Sequence, residues 1–256
     1  MKVLVTGAAS GIGKATVEKL LEKGHEVVAL DIDGESLEEL SSEVEKYQAD
    51  VYDENRVSNI IGDLELDAVV NSAGFYERGA VEDVDLETAE SIFRANYFGA
   101  VNVIKAALPV LRQREGCVVN VSSVAGRVSM PFFGHYCASK HALEAMTGSL
   151  RMELHGTGVD TVLVEPGAIE TGFNERARKA VAKYMPESFY TERYQEMLQG
   201  EGMRGVGPEK PAAKIVSALE ASRPKKRYQS PLRAKLFVAL EKVLPAGVRE
   251  PLLRNL

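Results

Sequence analysis

The junction at residues 3–13, Val3-Leu4-Val5-Thr6-Gly7-Ala8-Ala9-Ser10-Gly11-Ile12-Gly13, constrains this chain more than any other stretch. A short apolar run ends in three closely spaced glycines, after which Ile12, Ala15, Val17, Leu20 and Leu21 recur at helical spacing. Lys23-Gly24 supplies a cationic last turn and a glycine stop, and a second apolar run, 26–30, closes on Asp31. Strand, helix and strand within about 30 residues make one βαβ unit, whose crossover joins parallel neighbours. The pattern continues with helix over 36–44, strand over 47–49, helix over 54–64 and strand over 67–71. Helices at 86–96 and 99–114, a strand at 117–122, a long helix at 135–154 and a strand at 159–165 follow. The strands are apolar runs without polar alternation, which suits a parallel sheet covered by helices on both faces. The expected fold is therefore α/β: a single doubly wound domain over residues 1–256, with a seven-stranded parallel sheet flanked by helices.

Beyond Gly167 the character changes. Residues 168–207 are helical in places but contain Tyr184, Met185, Phe189, Tyr190 and four glycines between 200 and 207, and read as a partly mobile substrate loop rather than a sheet layer. Residues 208–221 return to a helical pattern, and 227–229 read as a final edge strand. Residues 232–256 form an amphipathic extension that mixes Leu236, Phe237, Leu240, Val243 and Leu244 with basic side chains. A helix packed on its own domain or on a second subunit is the expectation there, with peripheral membrane contact as the alternative.

Composition limits function. With 31 basic and 37 acidic residues the chain carries −6, which gives no reason to expect nucleic-acid binding. Two cysteines, Cys117 and Cys137, form no CxxC pair, which suits a reducing, cytoplasmic setting. Four histidines at 25, 135, 141 and 155 lack metal-ligand spacing, so no metal is expected. No apolar stretch of about 18 residues is present, so no transmembrane segment is expected.

The glycine loop has a specific chemical use. Glycines where a strand becomes a helix let the backbone approach a pyrophosphate, and the helix N-terminus offers unpaired N–H groups and partial positive charge. The spacing here is Gly-x3-Gly-x-Gly, which differs from the commoner dinucleotide fingerprint. Asp31 falls 18 residues after Gly13, close to the offset at which a carboxylate meets an adenosine ribose. It would repel a 2′-phosphate, and no Lys or Arg precedes Gly13 in the loop to offset that. NAD(H) is expected over NADP(H).

A second constellation lies further along. Tyr136 and Lys140 stand at i and i+4, hence on one helix face. Ser123 lies thirteen residues before Tyr136, at the end of the fifth expected strand, and Asn96 sits at the junction of two helices. Taken with Asn71-Ser72-Ala73-Gly74 and Pro166-Gly167, these residues resemble the short-chain dehydrogenase/reductase family over about residues 1 to 230. One departure is Ser72 where the family carries a second Asn.

The resemblance implies a Rossmann-like fold with Ser123, Tyr136, Lys140 and Asn96 as catalytic residues. It implies cofactor contacts from Thr6, Gly7, Ser10, Gly11, Ile12 and Gly13, and from Asp31, Asp50 and Val51. Asn71, Ala73, Gly74, Pro166, Gly167 and Thr171 complete the cofactor set, together with Tyr136 and Lys140. Tyr136 would pass the proton while Ser123 holds the substrate oxygen; Lys140 would bond the nicotinamide ribose, and Asn96 a relay water. A free phenol, with pKa about 10, is a poor base at neutral pH. An ammonium about 4 Å away at an effective dielectric of about 20 stabilises phenolate by about 4 kcal/mol, or about three pKa units. Tyr136 is therefore expected near neutrality.

The stretch 136–144 and the apolar extension look most like the hydroxysteroid and retinol dehydrogenase branch, so the expected substrate is a hydrophobic alcohol or ketone. A 3-oxoacyl thioester or sugar ketoreductase is the alternative, and a non-catalytic redox sensor a remote one. The family is often a homodimer or homotetramer. Residues 130–133, Met-Pro-Phe-Phe, read equally as pocket lining or packing.

Overall fold

Val3, Leu4 and Val5 are each fully buried, and they face opposite sides of one sheet. The computed structural model describes residues 1–170, 173–199, 205–230, 238 and 245–253. Its strands are β1 (Lys2–Thr6), β2 (Glu26–Asp31), β3 (Glu45–Gln48), β4 (Ala68–Asn71), β5 (Cys117–Val121), β6 (Asp160–Pro166) and β7 (Arg227–Ser230). All pair in parallel, in the order β3-β2-β1-β4-β5-β6-β7.

On one face Val3 and Val5 pack with Val17 and Leu20 of α1 (Gly11–Glu22) and Ile215 and Leu219 of α9 (Glu209–Leu219). On the other, Leu4 meets Val57 and Ile61 of α3 (Glu54–Gly62), Val103 and Leu111 of α5 (Gly99–Arg114), and Leu150 of α6 (Gly134–Glu153). Two buried faces explain why the strands carry no polar alternation. Thr6 registers with Leu30 on β2 and with Asn71 on β4, so three carboxyl ends align. The strand order reverses across β1, which opens a crevice beyond those ends.

Two expectations need correction. The helix expected over 36–44 is only α2 (Gly34–Glu38), capped by the Asp33 carboxylate accepting from the Ser36 N–H at 3.1 Å. Ser41 Oγ then accepts the Glu43 N–H at 3.2 Å, a local turn that competes with helix, and β3 begins at Glu45 rather than Tyr47. The helices expected as separate at 86–96 and 99–114 form one rod: α4 (Leu86–Phe93), a π-helical turn (Arg94–Phe98) and α5. The stretch after Gly167, read as helical in places, contains α7 (Phe173–Tyr184) and α8 (Thr191–Gln199) around a small core of Ala180, Val181, Tyr184 and Tyr194. Tyr194 is fully buried; its hydroxyl accepts the Ala80 N–H and donates to Asp83, both at 2.7 Å, which fastens α8 to the loop after β4.

Most of the C-terminal extension, and Thr171 with its neighbour, lie outside the described residues. Val238 is buried against Val124, Val128 and Met130, so the extension touches its own sheet edge there. Among the described residues no helix is long and apolar enough to cross a membrane.

Candidate active site

The first wall of the crevice is the loop from β1 to α1. Gly7 has φ +63°, and a Cβ on it would lie 2.7 Å from the Ala73 backbone. A Cβ on Gly13 would lie 1.9 Å from the Gly7 carbonyl oxygen, so the loop closes on itself only with glycine at that position. Ser10 precedes α1 with extended backbone, and its side chain makes no capping hydrogen bond. The cradle therefore presents backbone and helix N-terminus, the donor set a pyrophosphate needs.

Asp31 ends β2 beside it. One carboxylate oxygen accepts the Ala9 N–H at 2.9 Å and the other the Asp33 N–H at 3.0 Å, which ties the loop to the adenosine side of the crevice. A hollow of about 490 Å3 next to it is lined by Asp33, Glu35, Glu38, Gln48 and Lys46. Lys46 is committed there to the Glu38 and Leu40 carbonyls.

Thr6 supports the second wall: its buried hydroxyl accepts the Ser72 and Ala73 N–H groups, both at 3.1 Å. Asn71 turns into the sheet and donates to Asn120 at 2.8 Å, with its own amide oxygen buried and unpartnered. Asp50 accepts the Tyr52 N–H at 2.9 Å in a turn, and Val51 is buried beneath it. Ile12 packs into the core under α1. Gly74 crosses directly over the Asn96 side chain. Pro166 ends β6, and Gly167 donates to the Ser230 carbonyl at 2.7 Å.

The structure brings Ser123, Tyr136, Lys140 and Asn96 together at the carboxyl end of β5. Ser123 starts a short 3-10 turn, its hydroxyl accepting the Ala125 N–H at 3.1 Å and donating to the Pro166 carbonyl at 3.4 Å, and it stands close enough to Tyr136 to influence its phenol. Its neighbour Ser122 is buried and faces Glu144 on α6 instead. Lys140 is buried and donates to the Val121 carbonyl at 2.9 Å. Asn96 sits in the π-helical turn. Its side chain exchanges two hydrogen bonds with the Phe75 backbone, both 2.9 Å, and donates to Ser139 at 3.0 Å.

The expected acidic phenol is not a property of the chain alone. Lys140 Nζ lies over the Tyr136 ring, 5.9 Å from its centroid, and donates to the Val121 carbonyl instead of to the hydroxyl. Burial pushes the Tyr136 phenol above its ordinary value, opposed by the Ser123 hydroxyl. Burial likewise pulls Lys140 down to about 8, opposed by the Glu144 carboxylate. Desolvation disfavours both charged forms.

Several neighbours carry no motif that sequence reasoning could use. Tyr76 packs on Tyr136 with ring centroids 5.2 Å apart and on Phe133 at 5.4 Å, and Arg78 covers Phe133 at 5.0 Å. Behind the site, Arg227 bridges Glu144 and the fully buried Glu165, which also binds Gln229 at 2.7 Å and Arg127 at 3.5 Å. Two carboxylates and two guanidinium groups balance, which lets β6 and β7 bury charge beneath α6.

Fold and site together define a nucleotide-binding α/β oxidoreductase: a glycine cradle at a sheet switch point, with a hydroxyl pair and an ammonium facing it. Residues 1–182 match the family model described as short chain dehydrogenase, and the chain belongs to that family. It is 35% identical over 267 residues to a probable short-chain type dehydrogenase/reductase, VdlC, of Helicobacter pylori, covering 98% of this chain and 96% of that protein. It is 31% identical over 258 residues to 3-ketodihydrosphingosine reductase of Bacteroides thetaiotaomicron, again covering 98% and 96%. A short chain dehydrogenase from Burkholderia cenocepacia solved with NADP superposes with TM-score 0.82 at 24% identity, covering 98% of this chain and 97% of that one. A short chain dehydrogenase/reductase from Burkholderia phymatum solved with NAD gives 0.77 at 22%, covering 99% and 95%. At those identities the two solved structures establish the fold alone.

Proposed function

We propose that this enzyme transfers a hydride between NAD(H) and a hydrophobic alcohol or carbonyl compound. The observation that carries the reading is the convergence of Ser123, Tyr136 and Lys140 at the carboxyl end of β5, with Lys140 Nζ over the Tyr136 ring and anchored on Val121, across from the glycine cradle. The nicotinamide supplies the hydride acceptor or donor and, when oxidised, a positive charge. Ser123 holds the substrate oxygen, and Tyr136 gives or takes its proton. Lys140, anchored on Val121, keeps a cation behind the ring, and Asn96 fixes the turn that closes over Gly74.

Thr6, Gly7, Ser10, Gly11, Ile12 and Gly13 form the pyrophosphate side of the cofactor site, with Asp31, Asp50 and Val51 at the adenosine end. Asn71, Ala73 and Gly74 back the ribose; Pro166 and Gly167 border the nicotinamide. NAD(H) over NADP(H) is supported by Asp31 and by the acidic lining of the adjoining hollow, Asp33, Glu35 and Glu38. A 2′-phosphate there would meet like charge. The fold itself accommodates either nucleotide, as the two Burkholderia proteins do, so local charge decides. Support for a hydrophobic substrate comes from Tyr76 on Tyr136, with Phe133 on Tyr76, and from the ketone in the name of the Bacteroides relative. The two free cysteines suit a cytoplasmic setting. A homo-oligomer belongs to the same reading and is tested by light scattering.

The test is a panel of alcohols and ketones followed at the NADH absorbance, run beside Tyr136→Phe. Removing a proton-transfer group costs about 10²–10⁴-fold, so turnover in Tyr136→Phe should fall at least about 100-fold with NADH binding intact. Near-normal turnover in that variant overturns the reading. Any turnover excludes the redox-sensor alternative, and preference for thioesters or sugars selects the other ketoreductase reading.

A further inference from the structure

The loop after β4, residues 75–85, holds four carboxylates and one arginine. Its carboxylates all have partners. Glu77 accepts from the Tyr184 hydroxyl at 2.9 Å, and Asp83 from Ser188 at 2.6 Å and Tyr194 at 2.7 Å. Asp85 pairs with Lys183 at 3.3 Å, and Glu82 is hydrogen-bonded to Tyr190. Arg78 has none of them. Among the described residues no carboxylate forms an ion pair with Arg78, and its Nε is buried without a hydrogen-bond partner.

Its position gives the orphan a direction. The guanidinium lies on the Phe133 ring, Phe133 on Tyr76, and Tyr76 on Tyr136, so an aromatic floor runs from the proton-transferring hydroxyl to a cation. Arginine is rarely buried without a partner, stays charged, and presents a fork of N–H groups that fits oxyanions. Packing on one ring face leaves the edges of that fork unused. The side chain as a whole is half-buried, and that burial depresses the Arg78 pKa.

We propose that Arg78 receives an anionic group of the substrate, a carboxylate, sulfonate or phosphate, while the reacting carbonyl sits at Tyr136 and the carbon spacer lies over Tyr76 and Phe133. The substrate class is then an amphiphile with an acidic head, which sharpens the hydrophobic carbonyl compound proposed above and rests on that reading.

The probes are octanoate, octanesulfonate, octyl phosphate and 1-octanol, titrated calorimetrically into the NADH-loaded enzyme at low salt. A charge-assisted contact is worth about 1.5–3 kcal/mol, so at least one anion should bind about tenfold or more tightly than octanol. R78L should remove that preference and leave octanol affinity within about twofold, and R78K should keep part of it. The preferred anion identifies the head group. Equal affinity for anions and octanol, no binding of any probe, or equal weakening of all four by R78L overturns the proposal. NADH affinity reports folding of R78L, and R78Q carries the comparison if R78L does not fold. Tyr136→Phe should retain the anion preference. Absence of turnover with an intact preference defeats the hydride-transfer reading alone, whereas turnover without the preference defeats the anion site alone.

Discussion

Replacing Lys140 by Met should stabilise the ligand-free protein at neutral pH while abolishing turnover. Lys140 is 6% exposed, and burial holds its ammonium at about 8 against an ordinary 10.5. Below pH 8 the folded and unfolded chains both carry the proton, and folding bears the whole cost of desolvating it. Between 8 and 10.5 the folded chain has released the proton and the unfolded chain has not, so stability recovers as pH rises. At about 1.36 kcal/mol per pKa unit, the cost is about 3 kcal/mol at pH 7. Met fills similar volume without charge but leaves the Val121 carbonyl without its donor, a loss of about 1 kcal/mol. The net gain is about 2 kcal/mol. With an unfolding entropy of about 2.1 cal/mol/K per residue, that raises Tm by about 4 °C. Calorimetric melts of both proteins at pH 7 and pH 10 read this directly: Lys140→Met should melt higher at pH 7, and the gap should shrink toward zero or reverse at pH 10. A variant that melts below wild type at pH 7, or a gap independent of pH, refutes the assignment of a desolvated ammonium beside Tyr136.

Thr6→Val keeps the shape of the side chain and removes the acceptor for the Ser72 and Ala73 N–H groups. Two orphaned donors cost about 3 kcal/mol together, or about 6 °C in Tm by the same conversion, whereas Thr6→Ser should melt within about 2 °C of wild type. Equal melts for valine and serine would show that this hydroxyl does not hold the two walls together. Asp31→Asn removes the charge at the adenosine end but keeps one acceptor for the loop; the ratio of kcat/KM for NADH to that for NADPH should drop about tenfold or more, the effect of about 1.4 kcal/mol. An unchanged ratio places cofactor selection elsewhere.

The sheet was legible because its signals are local. Gly13 is demanded by a contact of 1.9 Å within its own turn, Gly7 by its φ of +63° and a 2.7 Å approach of the Ala73 backbone, and the apolar runs reflect two buried faces. The resemblance picks out Ser123, through its thirteen-residue spacing to Tyr136, and its neighbour Ser122 turns toward Glu144. What sequence could not supply is distance across elements. Tyr136 and Lys140 at i and i+4 share a helix face, yet that spacing does not say whether the ammonium meets the hydroxyl or the ring. Here the ammonium lies 5.9 Å from the ring centroid and donates to the Val121 carbonyl, and burial pushes the phenol up. Arg78 stands among Tyr76, Glu77 and Gly79 with no motif around it. Its isolation emerges only after α7 and α8 have claimed every carboxylate of its loop.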